Sequence, residues 1–498
     1  MSILRRALLA ALYFVAARAT VLSVTVFPNG ESTGGVQVDL TPVDVPSGRI
    51  LAVYLSTLVK VDGVYTDETK SSTQDIADRV YTGQGRLVES FDDLAENDRL
   101  YVVAPNLLFV WPFVEMGHRV LIESPQSPTG KPIVLESFSD SPRVFLIHDF
   151  FTNDEADTVI ERILAIDDED FKLKRSTVGH DSSIGLKSNV RTSENAYDSQ
   201  SDVAISLMKR SFDLLGIGAF QQGMADGLQL LRYQPKQAYI PHHDWFDIGT
   251  TEGFNWDPKA NGANRFATVF LYLSNVTRGG QTVFPRADMP PGFDHPIAPT
   301  DNDMPGFEKG TWEYKMVQQC YSKMASYPRK THAVLFYNQK GNGRRSIAMH
   351  DGLTAITSLA GELDVMSEHG GCPVVEGTKW AANLWVWNKS DRTHHPEVSL
   401  SFQNHLATAV DVYWSETMMF RLQGGEKLEG QISYGGQWSF RDADTGNVLL
   451  QHRLDMRVPS PQWISLPRQP TDAQALPADG VTTFEEVFAT DKYIKEEL

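Results

Sequence analysis

Two short stretches decide what chemistry this chain can do. They are Pro241-His242-His243-Asp244 and, far downstream, His369-Gly370-Gly371-Cys372-Pro373 followed by Lys379-Trp380. A His-x-Asp pair with one distant histidine is the donor set of the two-histidine, one-carboxylate facial triad. Such a triad holds Fe(II) and leaves positions open for a cosubstrate and dioxygen. Zn(II) accepts the same donors and is the competing metal. Side chains alternate along a strand, so His242 and Asp244 share a face there while His243 points away. The third ligand must then come from a strand adjacent in space and remote in sequence. Lys379 offers a cation at the closed end of a barrel, suited to one carboxylate of a dicarboxylate whose other end chelates the metal. Without such a partner a buried lysine is costly; on an exposed strand it would be an ordinary surface residue.

The elements that must position these residues can be read from pattern. Arg143 to Ile147 predicts a strand, and Thr152-Asn153-Asp154-Glu155 announces a helix through a capping box. Asp198 to Leu215 has the apolar spacing of a second helix. Short apolar strands follow at Leu228 to Tyr233, Ala267 to Leu273, Ala333 to Tyr337 and Lys379 to Trp387. Helices and then many strands fit a double-stranded β-helix, or jelly roll, with supporting helices. Ahead of this, residues 20–112 alternate strand patterns with one helical stretch, Arg49 to Lys60, around the turn Pro28-Asn29-Gly30, which suits a small α+β domain. Residues 113–131 read as a linker containing a Pro/Gly/Ser-rich run. Residues 391–468 are strand-rich, with the turn Asp444-Thr445-Gly446-Asn447, and suit a β-sandwich. Residues 469–498 form a polar, acidic tail. The fold class expected is therefore multidomain and mainly β with α+β parts.

A chain of 498 residues is too long for one core. Its net charge of -18 opposes nonspecific nucleic-acid binding. Arg5 and Arg6, the apolar run Ala7 to Ala17 and Ala17-Arg18-Ala19 read as a signal peptide over residues 1–19. No later apolar run suits a membrane helix. The terminus Lys495-Glu496-Glu497-Leu498 is similar to the endoplasmic reticulum retention address. Together these point to the lumen of the secretory pathway. Cys320 and Cys372 are the two cysteines; they can pair in that compartment or stay as separate thiols. Asn275-Val276-Thr277 and Asn388-Lys389-Ser390 are glycosylation sequons.

Residues 132–390 carry further blocks in order: Pro142-Arg143-Val144-Phe145 with Phe150, Arg191-Thr192-Ser193, Leu228 to Tyr233, Tyr239 to Phe246, Arg265, Leu271 to Ser274, Gly279 to Pro285, Leu335-Phe336-Tyr337, and His369 to Val374 with Gly377, Lys379-Trp380 and Trp385. This set resembles the catalytic domain of prolyl 4-hydroxylases, which are Fe(II)- and 2-oxoglutarate-dependent dioxygenases. The resemblance implies iron on His242, Asp244 and His369. It implies 2-oxoglutarate anchored by Lys379 with hydroxyl help from Tyr233 and Thr282, with O2 and ascorbate as the other small-molecule requirements. Peptide contacts fall to Tyr239, Arg265 and Trp385. The implied reaction is hydroxylation of a peptidyl proline with release of succinate and CO2. The alternatives are an oxygenase acting on lysine or a small molecule, and a non-catalytic hydroxyproline-binding module.

Family members carry Gly-Gly-Glu-Thr where this chain has Gly279-Gly280-Gln281-Thr282. His350 competes with His369 as the distal ligand, but only His369 is followed by Gly-Gly-Cys-Pro-Val and a suitably spaced lysine. Residues 341–361 then read as an insertion near the site mouth, and Arg286 to Trp312 as a second loop that can cover substrate. Two further resemblances flank the core. Phe27-Pro28-Asn29-Gly30 and the run Ser90-Phe91-Asp92-Asp93-Leu94 to Tyr101-Val102 resemble doublecortin-type, ubiquitin-like domains, which implies a β-grasp fold. Val410 to Trp414 and Ser433 to Asp442 resemble the β domain of the von Hippel–Lindau protein. That likeness implies a hydroxyproline pocket at Phe420, Ser433, Gln437 and Trp438, with Gln437 in place of a histidine and Phe420 in place of a tyrosine.

Overall fold

The computed structural model of the chain describes residues 20–63, 76–168, 172–175, 177–178, 186–187, 192–247, 255–260, 262–293, 300, 307–341, 345–346, 356–357, 361–390, 397–414, 417–433, 438–452, 462–467 and 482–483. The expected signal peptide, the Lys495–Leu498 terminus, Arg191, His350 and Gln437 lie outside these residues, as does much of 286–312 and 341–361. The described residues form two compact units. One runs to Trp245 and resumes from Arg265 to Ser390; the other comprises residues within 246–264 and from 391 onward.

The first unit opens with β1 (Leu22–Pro28), β2 (Val36–Leu40), α1 (Gly48–Leu55), β3 (Arg79–Thr82) and β4 (Arg99–Val103). The sheet order is β2-β1-β4-β3, with β1 and β4 parallel at its centre and the outer pairs antiparallel. A parallel central pair needs a crossover, and α1 supplies it. The arrangement is that of a β-grasp. Ser47 caps α1 by accepting from the Ile50 N–H, and Leu51, Ala52 and Leu55 bury against Val24, Val26 and Leu100.

Next come β5 (Arg119–Ile122), β6 (Ile133–Ser139), β7 (Val144–His148), α2 (Asn153–Leu164), β8 (Lys174–Arg175), β9 (Thr177–Val178), β10 (Leu186–Lys187), β11 (Glu194–Asp198) and α3 (Asp202–Leu215). They are followed by β12 (Leu228–Tyr233), β13 (Tyr239–His242), β14 (Arg265–Tyr272), β15 (Arg278–Gly279), β16 (Thr282–Phe284), α4 (Trp312–Cys320), β17 (Met324–Ser326) and β18 (Ala333–Tyr337). The hairpin β19 (Arg345–Ser346) and β20 (Ile356–Thr357), then β21 (His369–Gly371), β22 (Val374–Glu376) and β23 (Lys379–Trp387), complete the unit. The larger sheet has the order β5-β6-β7-β18-β14-β23-β12-β11-β8, and the smaller β13-β21-β16-β17. Their inner faces share one apolar cluster, with Leu231, Phe270 and Phe336 from the larger sheet and Phe284 and Met324 from the smaller. This is the jelly roll. Residues 113–131, expected as a linker, contribute β5, which pairs with β6 at the sheet edge. The edge strand is short and only its last residue is buried, so its apolar pattern is weak.

The outer face of the larger sheet is covered by α2 and α3 and is continuous with the core of the β-grasp. Trp111 joins the two: its indole N–H donates to the Leu214 carbonyl at 2.7 Å, and Arg143 donates to the Trp111 and Gly30 carbonyls. α2 begins at the expected capping box, with Thr152 Oγ1 accepting from the Glu155 N–H and the Glu155 carboxylate accepting from the Thr152 N–H. The same carboxylate pairs with Arg210 of α3 at 2.7 Å. α3 is capped by Ser201 and stopped by Gly216, whose φ of 65° suits a residue without Cβ.

The second unit contains β24 (Glu397–Asn404), β25 (Val410–Trp414), β26 (Thr417–Leu422), β27 (Lys427–Ser433), β28 (Trp438–Asp442), β29 (Val448–His452), β30 (Gln462–Leu466) and β31 (Thr482–Thr483). Two sheets, β30-β24-β27-β31 and β26-β25-β28-β29, enclose a core of Leu400, Phe402, Val412, Phe440 and Ile464. This is the expected β-sandwich. Phe420 and Trp438, two of the residues named for a hydroxyproline pocket, pack on Phe402 in that core, with ring centroids 5.4 and 5.0 Å away. The side chain of Ser433 lies outside the described residues.

Arg210 is 1% exposed and also donates to the Phe150 and Gln126 carbonyls. Arg210→Ala is therefore expected to destabilise the first unit by about 3 kcal/mol, because a carboxylate and two carbonyls lose their donor. A lowered denaturant midpoint with an unchanged slope is the expected reading.

Candidate functional site

β13 and β21 lie side by side, and His242 is the direct cross-strand partner of His369. Their ring centroids are 4.6 Å apart. β13 ends at His242, so Asp244 stands beyond the strand, in a bend. Strand alternation is therefore not what turns Asp244 inward; contacts from β14 do that. Arg265 donates to the Asp244 carbonyl at 3.0 Å, and Thr268 donates to Asp244 Oδ2 at 2.7 Å. One donor atom each from His242, Asp244 and His369 lies within 4.8 Å of the others, a spacing that lets all three share one ion. His243 points away as expected, its Nε2 lying 3.0 Å from the Val365 carbonyl.

The imidazoles are oriented from behind. His242 Nδ1 lies 2.9 Å from the Ile240 carbonyl and His369 Nδ1 3.0 Å from the Ser367 carbonyl. A carbonyl only accepts, so each Nδ1 carries the hydrogen and each Nε2 faces the centre with a lone pair. Burial pushes His369 down to about 4, against the pull of Asp244, so it is neutral at pH 7. Burial also opposes ionisation of Asp244, but the imidazoles and Arg265 outweigh it and hold the carboxyl well below its usual range. An ionised carboxylate beside a neutral imidazole is the state that metal binding requires.

Lys379 opens β23 opposite Tyr233 of β12. It is 1% exposed, and its Nζ has no hydrogen-bond partner. Its nearest neighbours are the faces of Phe270, Tyr233 and Tyr272, with centroids 4.9 to 5.5 Å away. Burial alone pushes its ammonium down to about 7. Thr282 shares this interior and accepts from the Tyr272 hydroxyl at 2.9 Å, which also meets Ser326. A Cβ at Gly280 would come within 3.4 Å of Lys379 Cδ, and one at Gly371 within 3.4 Å of the Tyr233 hydroxyl. The interior thus offers two imidazole nitrogens, one carboxylate, hydroxyls and a cation that meets aromatic faces but no hydrogen-bond acceptor among the described residues. That donor set fits Fe(II), and the orphaned ammonium fits the far carboxylate of 2-oxoglutarate.

The three residues expected to touch peptide adjoin this centre. Tyr239 stacks on His242 with centroids 3.8 Å apart. Arg265 pairs with Asp226 at 3.0 Å and lies 3.8 Å above the Trp385 ring. The Trp385 indole N–H is buried without a partner. Asp226, Thr268, Tyr272 and Asn338 were not among the expected site residues. A usable signal existed for Thr268, a polar residue inside the otherwise apolar run Phe266 to Tyr272. Cys320 and Cys372 are joined, with Cα atoms 6.1 Å apart, which fastens the end of α4 beside the strand that carries His369.

A family model described as the 2OG-Fe(II) oxygenase superfamily matches residues 228–387, which include all three metal donors and Lys379. Prolyl 4-hydroxylase 2 of Arabidopsis thaliana is 33% identical over 270 residues, covering 53% of this chain and 74% of that protein. Probable prolyl 4-hydroxylase 3 of the same plant is 30% identical over 254 residues, covering 50% of this chain and 71% of that protein. Among solved structures, the viral collagen prolyl hydroxylase vCPH of Paramecium Bursaria Chlorella virus-1, in its 2OG complex, is similar at 18% identity and a TM-score of 0.29, over 49% of this chain and 95% of that one. The chain belongs to the prolyl 4-hydroxylase family of Fe(II)- and 2-oxoglutarate-dependent dioxygenases.

Proposed function

We propose that this protein is a peptidyl-proline 4-hydroxylase acting on a protein of the secretory pathway, in the lumen of the endoplasmic reticulum. The observation that carries the reading is the unpaired ammonium of Lys379 in the same interior as the His242, Asp244 and His369 donors. A cation buried alone is costly unless an anion joins it. With a keto-diacid that chelates iron at one end, Lys379 fixes the other end, while Thr282 and Tyr233 lie beside that anchor. When bound, iron with 2-oxoglutarate and O2 supplies the oxidising power: the diacid becomes succinate and CO2, and one oxygen atom enters each of succinate and the proline ring. The apolar lining of Phe270, Phe336 and Val374 keeps water from the centre.

Support for a peptide substrate comes from Tyr239, Arg265 and Trp385, which border the centre, and from the named Arabidopsis relatives. Support for the lumen comes from the signal-like N-terminus, the Lys495–Leu498 ending and the Cys320–Cys372 bridge, since such bridges persist in oxidising compartments.

The assay is succinate release by the full chain with Fe(II), 2-oxoglutarate, ascorbate and proline-containing peptides. Mass spectrometry is expected to find one added oxygen on proline. Turnover indifferent to the peptide would mean a small-molecule substrate.

Lys379→Met is expected to raise the dissociation constant for 2-oxoglutarate by about 10–100-fold, the value of a charge-assisted bond. Metal affinity should be unchanged. The ligand-free variant should melt at a higher temperature, because an unpaired buried charge has gone. Calorimetry and thermal unfolding check all three, and undiminished 2-oxoglutarate binding would remove Lys379 from the role.

A pH dependence follows from the same group. The free protein holds Lys379 near 7, whereas the ion-paired complex needs it charged. Above about pH 7, binding must take up a proton, so the dissociation constant should rise toward tenfold per pH unit. Below that it should level off. In the ligand-free protein the depressed lysine makes stability rise from about pH 7 toward the unfolded value near 10.5. Titration calorimetry in two buffers of different ionisation enthalpy measures the proton uptake.

A further inference from the structure

Asp244 has two carboxylate oxygens facing two imidazoles. Oδ1 is 3.6 Å from His242 Nε2, and Oδ2 is 3.5 Å from His369 Nε2. Either oxygen is near enough to a shared ion to be a ligand, and both together would fill one of the positions that chemistry needs open. The difference between them lies in what else they touch. Oδ2 accepts from the Thr268 hydroxyl at 2.7 Å. Thr268 in turn receives the side-chain amide of Asn338 at 3.2 Å. Thr268 and Asn338 are both fully buried, on the adjacent strand β14 and just past the end of β18.

The direction of this chain of bonds is forced. An ionised carboxylate only accepts, so Thr268 must give its single hydrogen to Asp244. Its oxygen is then left to accept, and Asn338 must present its NH2. We infer that Thr268, oriented by Asn338, sets the coordination mode of Asp244: it holds Oδ2 and leaves Oδ1 as a single ligand to the metal. Asp244 has particular need of this, because it lies outside the β13 ladder. Arg265, three residues before Thr268 on the same strand, grips the Asp244 main chain while Thr268 grips the side chain. Both are positioning residues.

The inference rests on the triad being a metal centre, and the test separates the two. The full chain is titrated with Co(II) alone, an air-stable probe, by calorimetry and by its visible absorption, without 2-oxoglutarate or peptide. Thr268→Val keeps the shape and removes the hydroxyl. It is expected to weaken Co(II) binding by about 10–100-fold, as loss of an outer-shell partner does, and to change the absorption as Asp244 becomes free to chelate through both oxygens. Thr268→Ser restores the donor and should return affinity and spectrum to those of the parent. Asn338→Ala should shift the spectrum in the same direction as Thr268→Val, and it serves as the test if Thr268→Val does not fold. A purely structural role would move the melting temperature of the metal-free variants and leave the Co(II) spectrum alone. Parental affinity and spectrum in a folded Thr268→Val, or in Asn338→Ala when that variant stands in, overturns the inference. So does Thr268→Ser as impaired as valine. A parent chain that takes up no Co(II) overturns the metal-centre reading itself.

Discussion

The catalytic core depends on placing one carboxylate that its own strand does not hold. β13 stops at His242, and Asp244, which is 5% exposed, sits past the end of the ladder. Left to local geometry it would turn to water, since a buried carboxylate costs far more than an exposed one. It stays inside because β14 approaches from the other sheet, with Arg265 on its carbonyl and Thr268 on its carboxylate. That approach requires the two sheets to close face to face, which the shared apolar cluster of Leu231, Phe270, Phe284 and Phe336 secures. The two imidazoles are easier to place. Direct pairing of His242 with His369 across β13 and β21 fixes them, and the Ile240 and Ser367 carbonyls set their tautomers.

Lys379 presents the opposite case, a charge whose surroundings offer three aromatic faces but no hydrogen-bond acceptor among the described residues. Such a residue weakens the ligand-free fold, and under the proposed function it would recognise a dicarboxylate. The same low-polarity wall that pushes its pKa down strengthens its pairing with an arriving anion. Stability and function pull in opposite directions at this position, a common arrangement where a site must be ready for a charged ligand.

Much of this was legible in the sequence, and the exceptions have physical reasons. Leu228–Tyr233, Ala333–Tyr337 and Lys379–Trp387 appear as strands with the expected bounds, because each is an apolar run ended by turn-forming or polar residues. The capping box at Thr152 and Glu155 announced α2. Residue type, spacing and the ordered blocks around them pointed to His242, Asp244 and His369, which the fold brings together, although alternation along a strand was the wrong reason for Asp244. β5 was missed because an edge strand that buries one residue in four carries little periodic signal. Thr268 carried a signal as a polar residue in an apolar run, but its partner across the sheets is not legible in the sequence, and Asn338, just past the end of β18, carried none. The pairing of Cys320 with Cys372 depends on how α4 folds back, which no spacing rule supplies.

The substitution of Gln281 for the usual glutamate can also be placed. Gln281 lies just before β16, and its side-chain Oε1 is buried without a hydrogen-bond partner. Val283 belongs to a second apolar cluster with Cys320, Cys372, Met316 and Ala325, on the other side of the smaller sheet. Gln281 itself is 1% exposed, and its main-chain carbonyl accepts from the Cys372 N–H at 2.8 Å. A carboxylate at that position would be buried with its charge to be met, which costs more than leaving a neutral amide oxygen unpaired.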